Sequence, residues 1–193
     1  MVERISALAG AAVARQVGTV GQAGPGVRLS ERRIGRLWQI AAWPERLGAV
    51  GAFGATLVGV SEAPGPGRSL AGPGGRLIRT EPLKWLVERA EGADAPALAI
   101  EDGSVLDLSH ARTLIRVEGS AAPEVMARLV SADLRPQSFG EGAVALSSAH
   151  GVGITVLRRG TGYDLLVFRS FALSLWEQLA EIGAQFGCAL AEG

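Results

Sequence analysis

The sequence is poor in the residues that usually mark a redox, phosphate or metal site. Its one cysteine, Cys188, excludes an internal disulfide and fits a reducing compartment. Lys84 is the only lysine and Trp85 follows it, which excludes a phosphate loop that needs lysine before serine or threonine. The two histidines, His110 and His150, and the cysteine form no closely spaced pair of the kind that binds zinc. We therefore expect no metal on this chain.

An excess of charge of either sign is also absent. Nineteen basic and nineteen acidic side chains cancel, so no net charge attracts nucleic acid or an anionic membrane surface, and we expect neither as a partner. No apolar run approaches the roughly 20 residues that cross a bilayer. Residues 7–14 are too short and too weakly apolar for the core of a secretory signal. We therefore expect a cytoplasmic protein.

The sequence does contain enough apolar residues to form a folded core. With 193 residues, 48% of them apolar, it predicts about one domain. Residues 1–34 have no aromatic side chain and predict an arm that is poorly ordered or becomes ordered against a partner. Residues 35–105 predict an N-terminal lobe of a strand, a helix and loop-rich strands, in which the glycine- and proline-rich stretch 63–75 is a connector without regular structure. We assign residues 106–187 to a second lobe and 188–193 to a tail.

The second lobe has the clearest pattern of secondary structure. Apolar side chains alternate over residues 113–117 as in a half-buried strand. Ser120 is the expected N-cap of a helix whose apolar stripe runs from Val125 to Val130. From Arg112 onward the predicted order is strand, helix, three strands and helix. This order predicts an α+β protein, a layer sandwich of the split βαβ (ferredoxin-like) kind.

One polar cluster, Asp107, Ser109, His110 and Arg112, stands in this apolar neighbourhood. In a functional interpretation it is a ligand-facing turn, where His110 accepts a proton or Asp107 holds an amine. In the favoured structural interpretation, Asp107 and Ser109 bond backbone N–H groups and Arg112 reaches a carboxylate. Together with Trp85 these residues form a candidate structural or interface cluster. We predict no catalytic, cofactor-binding or metal residue on this chain.

A nucleophilic serine is the weakest of the functional hypotheses. Ser61 and Ser69 lie in near misses to the G-x-S-x-G elbow, and both lack its last glycine. A small hydrolase that uses either serine is therefore the least favoured interpretation.

The run that begins at Asp107, DLSHARTLIRVEGSAAPEVMARL, resembles the aminomethyltransferase (glycine-cleavage T protein) superfamily. There, a D-[LV]-S-H turn precedes a strand, a glycine and a helix. The closer resemblance is to gamma subunits of heterotetrameric sarcosine oxidase. It rests also on EPLKWL from Glu81, on Asp133-Leu134, on Phe139-Gly140 and on YDLLVFRSFALSLWEQL from Tyr163.

The resemblance implies an aminomethyltransferase-like folate-binding fold with a smaller N-terminal α/β lobe. It also implies a non-catalytic assembly subunit of a flavoenzyme complex that demethylates sarcosine oxidatively to glycine, with tetrahydrofolate as one-carbon acceptor. FAD, FMN, NAD and tetrahydrofolate would lie on larger subunits, and the partners would be alpha, beta and delta subunits. Residues 159–163, RGTGY, keep only the outline of the superfamily's R-T-G-Y-T-G-E signature, so no folate site is carried over.

Two alternatives to this function stay open. The chain could be a gamma-type subunit of a related N-methyl amino acid dehydrogenase. It could also be a stand-alone folate- or small-molecule-binding protein of the same fold.

Overall fold

The structure, a computed structural model, describes residues 5–22 and 24–191. This part of the chain forms helices α1 (Leu47–Val58), α2 (Ala122–Leu129) and α3 (Ala172–Ala184). Its strands are β1 (Arg15–Val17), β2 (Val27–Arg32), β3 (Arg36–Ala42), β4 (Ser69–Gly72), β5 (Gly75–Glu81), β6 (Lys84–Arg89), β7 (Gly103–Asp107), β8 (Arg112–Glu118), β9 (Val144–Ala149), β10 (Val152–Arg159), β11 (Gly162–Phe168) and β12 (Cys188–Ala191). None of the helices in these residues is long and apolar enough to cross a membrane.

The chain divides into two compact units. The first contains residues 5–33, Ala111–Glu141 and residues 145–191, and the second contains Ile34–His110 with Gly142–Val144. Each unit has its own sheet and its own helices. The predicted α+β class is confirmed.

The first unit has a seven-stranded sheet in the order β1-β12-β2-β8-β11-β10-β9. At its centre β8 pairs antiparallel with β2 on one side and with β11 on the other. Helix α2 contacts β11, and α3 contacts β1, β2 and β12. The alternating apolar side chains of the central strands are fully buried, as the period of two predicts for a covered face: Leu29, Ile115, Val117, Tyr163, Leu165 and Val167.

Two strands of this sheet correct the predicted arm and tail. Within residues 1–34, β2 lies between β12 and β8, and its Val27 and Leu29 are fully buried. The alternation of these two side chains is enough to hold a central strand without any aromatic residue. Within the predicted tail, β12 pairs parallel with β2 and antiparallel with β1. Residues 1–4, 23 and 192–193 of these segments lie outside the described residues.

The second unit has a five-stranded sheet in the order β4-β5-β6-β3-β7. Helix α1 packs on β3, β5 and β6. Strand β4 forms inside the stretch 63–75, which the sequence predicts to have no regular structure; its pairing with β5 outweighs the local content of glycine and proline. The core between helix and sheet consists of Ile40, Ala42, Val50, Ala55, Val58, Leu77, Trp85 and Val87.

Gly54 explains why α1 tolerates glycine. A Cβ at this position would lie 3.0 Å from Ile40 Cδ1 and 3.1 Å from Leu77 Cδ1, both in the sheet below the helix. A larger residue would therefore require the side chains of Ile40 and Leu77 to shift by a few tenths of an ångström. Glycine weakens the helix locally, and the close packing compensates for that loss.

Helix α2 begins without the predicted cap from Ser120. Its N-cap is Ala121, whose side chain makes no hydrogen bond, and Pro123 lies in the first turn. Proline is suited to that position because its φ is preset and its missing N–H would be unpaired there in any case. Pro123 and Glu124 therefore favour the helix start that Ser120 was expected to provide.

The hairpin formed by β9 and β10 turns at two residues, His150 and Gly151. Their φ angles are 47° and 83°. Two successive residues with positive φ identify a type I′ turn, which matches the twist of the paired strands and prefers Asn-Gly. His150 thus occupies a conformation that suits asparagine better.

We expect His150→Asn to raise the free energy of unfolding by about 0.5 kcal/mol, and His150→Val to lower it by about 1 kcal/mol or more, because a β-branched residue is strained at positive φ. Chemical denaturation measures both. His110→Val is the matched control, since His110 lies in an exposed turn outside the positive-φ region. Equal stability of the valine variants at the two positions would contradict this assignment.

Candidate functional site

The predicted cluster begins at the end of β7 with Asp107. The backbone N–H of Ser109 donates to Asp107 Oδ1 over 2.8 Å, and Arg36 Nη1 lies 4.0 Å from Asp107 Oδ2. Partial burial opposes ionisation of this carboxyl, but the hydrogen bonding of Ser109 and the charge of Arg36 outweigh it and hold the pKa of Asp107 below its ordinary value. The geometry is that of an Asx turn, in which the carboxylate holds its own backbone.

Ser109 attaches this turn to the start of β3. Its side chain is only 1% exposed. The N–H of Leu37 donates to Ser109 Oγ over 2.9 Å, and Ser109 Oγ lies 3.4 Å from Leu37 O. The N–H of Leu108 donates to the same carbonyl over 2.8 Å. These contacts support the structural interpretation, because the hydroxyl is used within the fold.

We expect Ser109→Ala to lower the free energy of unfolding by about 1–3 kcal/mol, because it leaves the buried N–H of Leu37 without an acceptor. Thermal and urea unfolding measure the change. Ser104→Ala, at an exposed position of β7 before this turn, is the matched control and should leave stability unchanged. Equal unfolding midpoints for the two variants would show that Ser109 does not hold the turn.

Of the other predicted members of the cluster, Arg112 and Trp85 have separate packing roles. His110 is exposed. Arg112 belongs to the first unit, where its guanidinium carbon lies 3.4 Å from the centroid of the Phe168 ring and burial lowers the pKa of Arg112. Among the described residues this cation–π contact takes the place of the carboxylate that we expected for Arg112. Trp85 is 1% exposed in the core of the second unit, with the Arg79 guanidinium 5.0 Å from its ring centroid.

The sequence interpretation missed a partly buried ionic group, which we call the Asp164 cluster: Arg116, Glu118, Arg159 and Asp164. Arg116 Nη1 lies 3.0 Å from Asp164 Oδ1, and Arg159 Nη1 lies 3.3 Å from Asp164 Oδ2. Arg116 Nε is 3.5 Å from Glu118 Oε2, and Arg116 Nη2 donates to the carbonyl of Arg159 over 2.8 Å. Asp164 is 5% exposed and Arg116 is 8% exposed.

A signal for the Asp164 cluster was present in the sequence. Asp164 interrupts the apolar run YDLLVF, and Arg116 interrupts TLIRV. The register of β11 on β8 places these two residues directly opposite each other. Both oxygens of Asp164 accept from arginine, and the residue is buried, so the carboxylate is held in an ion pair inside the fold. We interpret the cluster as structural.

The short motif at residues 159–163 also forms ordinary structure here. Gly160 and Thr161 make the two-residue turn between β10 and β11, with Arg159 paired to Gly162. Tyr163 is fully buried, its hydroxyl donates to Leu134 O over 3.1 Å, and burial raises the pKa of Tyr163. The residues that match the outline of the superfamily signature are therefore used in a hairpin.

Of the two serines considered as nucleophiles, Ser69 is used inside the fold and Ser61 is exposed. Ser69 Oγ donates to Gly142 O over 3.2 Å and accepts from Arg76 Nη1 over 3.2 Å. Ser61 lies in an exposed bend. Within residues 5–22 and 24–191 no three histidine, cysteine or acidic side chains come together as they would around a metal ion.

Comparison with known proteins gives a consistent picture. No family model matches the chain. It is 30% identical over 119 residues to sarcosine oxidase subunit gamma of Corynebacterium sp. (strain U-96), a match that covers 61% of this chain and 56% of the relative. Its fold is similar to a chain of the heterotetrameric sarcosine oxidase from Corynebacterium sp. U-96, with a TM-score of 0.77 and 26% identity over 95% of this chain and 96% of that one. The predicted resemblance to sarcosine oxidase gamma subunits is confirmed.

In sequence the chain spans about half the length of the curated gamma subunits that it matches, 56% and 41% for two Corynebacterium proteins. The aminomethyltransferase T of the glycine cleavage system from Bartonella henselae has a similar fold, with a TM-score of 0.60 and 17% identity over 89% of this chain and 55% of that one. That likeness confirms the aminomethyltransferase-like fold and shows the fold alone.

Proposed function

We propose that this chain is a non-catalytic, gamma-type subunit of a heterotetrameric sarcosine oxidase. The observation that carries the proposal is the likeness in fold to a chain of such an oxidase over nearly the whole length of both chains, at a TM-score of 0.77 and 26% identity. The resemblance in the D-L-S-H turn and in the strand and helix that follow it supports the same assignment.

The contacts of the candidate residues support a role in assembly. The Ser109 hydroxyl, both oxygens of Asp164 and the Tyr163 hydroxyl are all occupied by groups of this chain. Groups that are held inside the fold in this way are not placed to meet a substrate. We therefore propose that the oxidation of sarcosine takes place on the larger subunits, while this chain stabilises the complex.

The cofactors follow from the same proposal. FAD, FMN, NAD and tetrahydrofolate would lie on the alpha, beta and delta subunits, and tetrahydrofolate would accept the one-carbon unit as sarcosine becomes glycine. We also infer that the first unit is an elaborated split βαβ sandwich, since β11 lies between β8 and β10 in its sheet.

The test is to express the tagged chain with its larger partner subunits, purify through the tag, and record an absorption spectrum and sarcosine-dependent turnover. We expect flavin bands and turnover to co-purify with the tag. His110→Ala should leave the turnover of the assembled complex unchanged, because this exposed side chain has no assigned chemistry. A colourless single chain would contradict the subunit assignment, and normal assembly with lost turnover in His110→Ala would contradict the non-catalytic role.

One alternative has its own support. The chain is 31% identical over 106 residues to an aminomethyltransferase of Geobacillus thermodenitrificans, which is compatible with a stand-alone folate-binding protein of this fold. Calorimetric titration of the isolated chain with tetrahydrofolate tests it, and micromolar binding by a monomer would favour it over the subunit. The other alternative, a related N-methyl amino acid dehydrogenase, is separated by testing the purified complex with a series of N-methyl amino acids.

A further inference from the structure

Strand β9, Val144–Ala149, forms one edge of the seven-stranded sheet and has β10 as its neighbour. Sheet edges are usually protected by charged residues, by proline or by a bulge. The sequence of β9, VALSSA, has no charged residue and no proline, and Leu146 is 54% exposed. Ser148 is exposed as well. This edge therefore has the composition of a strand that accepts another strand.

The hairpin turn determines which backbone groups of β9 face outward. The two-residue turn at His150 and Gly151 makes Ala149 and Val152 the first pair of the hairpin. The backbone N–H and C=O groups of residues 145, 147 and 149 therefore face β10. Residues 144, 146 and 148 then face away from the sheet. The N–H of Val144 agrees with this alternation, since it donates to Gly67 O over 2.8 Å.

A strand already pairs with the beginning of this edge. Residues 67–69 run antiparallel to Gly142–Val144, with Arg68 opposite Ala143, and the N–H of Ser69 donates to Gly142 O over 2.7 Å. This ladder ends at Gly67, because the chain before it turns at Gly65 and Pro66 has no N–H. Beyond Val144, the outward N–H and C=O groups of Leu146 and Ser148 have no partner in the part of the chain that the structure describes.

We propose that an extended segment of another subunit of the complex adds to β9 as an outer strand, pairing its backbone with Leu146 and Ser148 and placing an apolar side chain beside Leu146. This inference rests on the proposed function as an assembly subunit. The free edge over residues 145–149 accommodates a segment of about five residues, at about 3.3 Å per residue.

A second copy of the chain fits this edge poorly. The antiparallel register in which Leu146 and Ser148 of both copies all pair is centred on Ser147, and it would bring His150 of each copy opposite Val144 of the other. Gly67 already occupies that position through its bond to the Val144 N–H. The turn of each copy would therefore collide with a strand that is already paired, whereas a free segment of another subunit has no such turn.

Amide hydrogen exchange of the isolated chain and of the purified complex tests the proposal at single residues. In the isolated chain the amides of Leu146 and Ser148 should exchange fast, while those of Ala145 and Ser147 are protected by β10. In the complex, Leu146 and Ser148 should slow by about 100-fold or more, as expected for amides that enter a stable ladder. Unchanged exchange at both residues in an assembled complex would overturn the inference and leave the proposed function intact. If no complex forms, both fail.

A pair of variants at one residue gives an independent test. Ser148→Pro removes the outward N–H and closes the edge, whereas Ser148→Ala keeps it. We expect the proline variant to retain about a tenth of the co-purified larger subunits, since strand addition depends on these main-chain bonds, and the alanine variant to retain them all. Equal retention would contradict the proposal.

A second pair of variants tests the same edge without introducing a proline, which can itself disrupt folding. Leu146→Lys and Leu106→Lys place the same charge on edge strands β9 and β7, at side chains that are both 54% exposed. Only the first should reduce assembly, because only β9 is proposed to pair. Equal loss from both would contradict the proposal, as would a dimer of the isolated chain that Leu146→Lys abolishes.

Discussion

Replacement of Asp164 by alanine is expected to lower the free energy of unfolding by about 3–5 kcal/mol, because it removes the nearest and most deeply buried counter-charge of the Arg116 guanidinium and leaves only the more exposed Glu118. Arg116 and Asp164 lie 3.0 Å apart, with side chains 10% and 7% exposed, so solvent cannot replace the lost carboxylate. Urea denaturation of the purified chain measures the change. It should appear as a lower midpoint with an unchanged slope.

Two further variants identify the cause of this loss. Asp133→Ala removes an aspartate whose contacts with Arg135 and Ser138 are solvent-exposed, and it should lower stability far less than Asp164→Ala. The double variant Arg116→Met with Asp164→Leu should recover most of the stability, because it removes both buried charges together. A double variant no more stable than Asp164→Ala would show that the ion pair is not the source of the effect.

Replacement of Trp85 by alanine is expected to lower the free energy of unfolding by about 3–5 kcal/mol, because it leaves a large cavity in the core of the second unit. The ring lies 3.6 Å from the position that a Cβ of Gly51 would occupy, and it packs in the same cluster as Ile40 and Leu77. The helix and sheet around it cannot close such a space without strain. Thermal unfolding measures the loss.

The indole nitrogen of Trp85 makes Trp85→Phe an informative control variant. Trp85 Nε1 is buried and makes no hydrogen bond within the described residues. Trp85→Phe therefore removes no hydrogen bond and should cost only about 1 kcal/mol. Trp43→Ala, at a side chain that is half exposed, should cost less than Trp85→Ala. A phenylalanine variant as unstable as the alanine variant would show that the nitrogen, and not the volume of the ring, holds this core.

The sequence by itself indicates the importance of Trp85 but not that of Asp164. A tryptophan is expected in a core or an interface from its size alone, and here burial decides for the core. Asp164 is different, because a single acidic residue in an apolar strand is informative only when its partner is known. Its arginine partner is 48 residues away in the sequence, and no local pattern connects the two.

The predicted helices and strands show the same difference between patterns of neighbouring residues and contacts of distant ones. The alternation over residues 113–117 and the apolar stripe of α2 predict a strand and a helix that do form. The composition of residues 1–34 predicted an arm, yet Val27 and Leu29 lie in the middle of a sheet. That strand is stabilised by β8 and β12, which follow it at great distance in the sequence, so no property of its own residues shows that it will be central.

The sequence by itself determined the α+β class, the absence of a phosphate loop or zinc motif, and the resemblance to sarcosine oxidase gamma subunits. Each of these depends on residues close together in the chain, whose periodicity and spacing are visible directly. Only the tertiary structure decided that Ser109 holds Leu37, that Asp164 joins Arg116 to Arg159, and that β9 has a free outer edge. These depend on strand order and register, which bring distant residues together only when the sheets form.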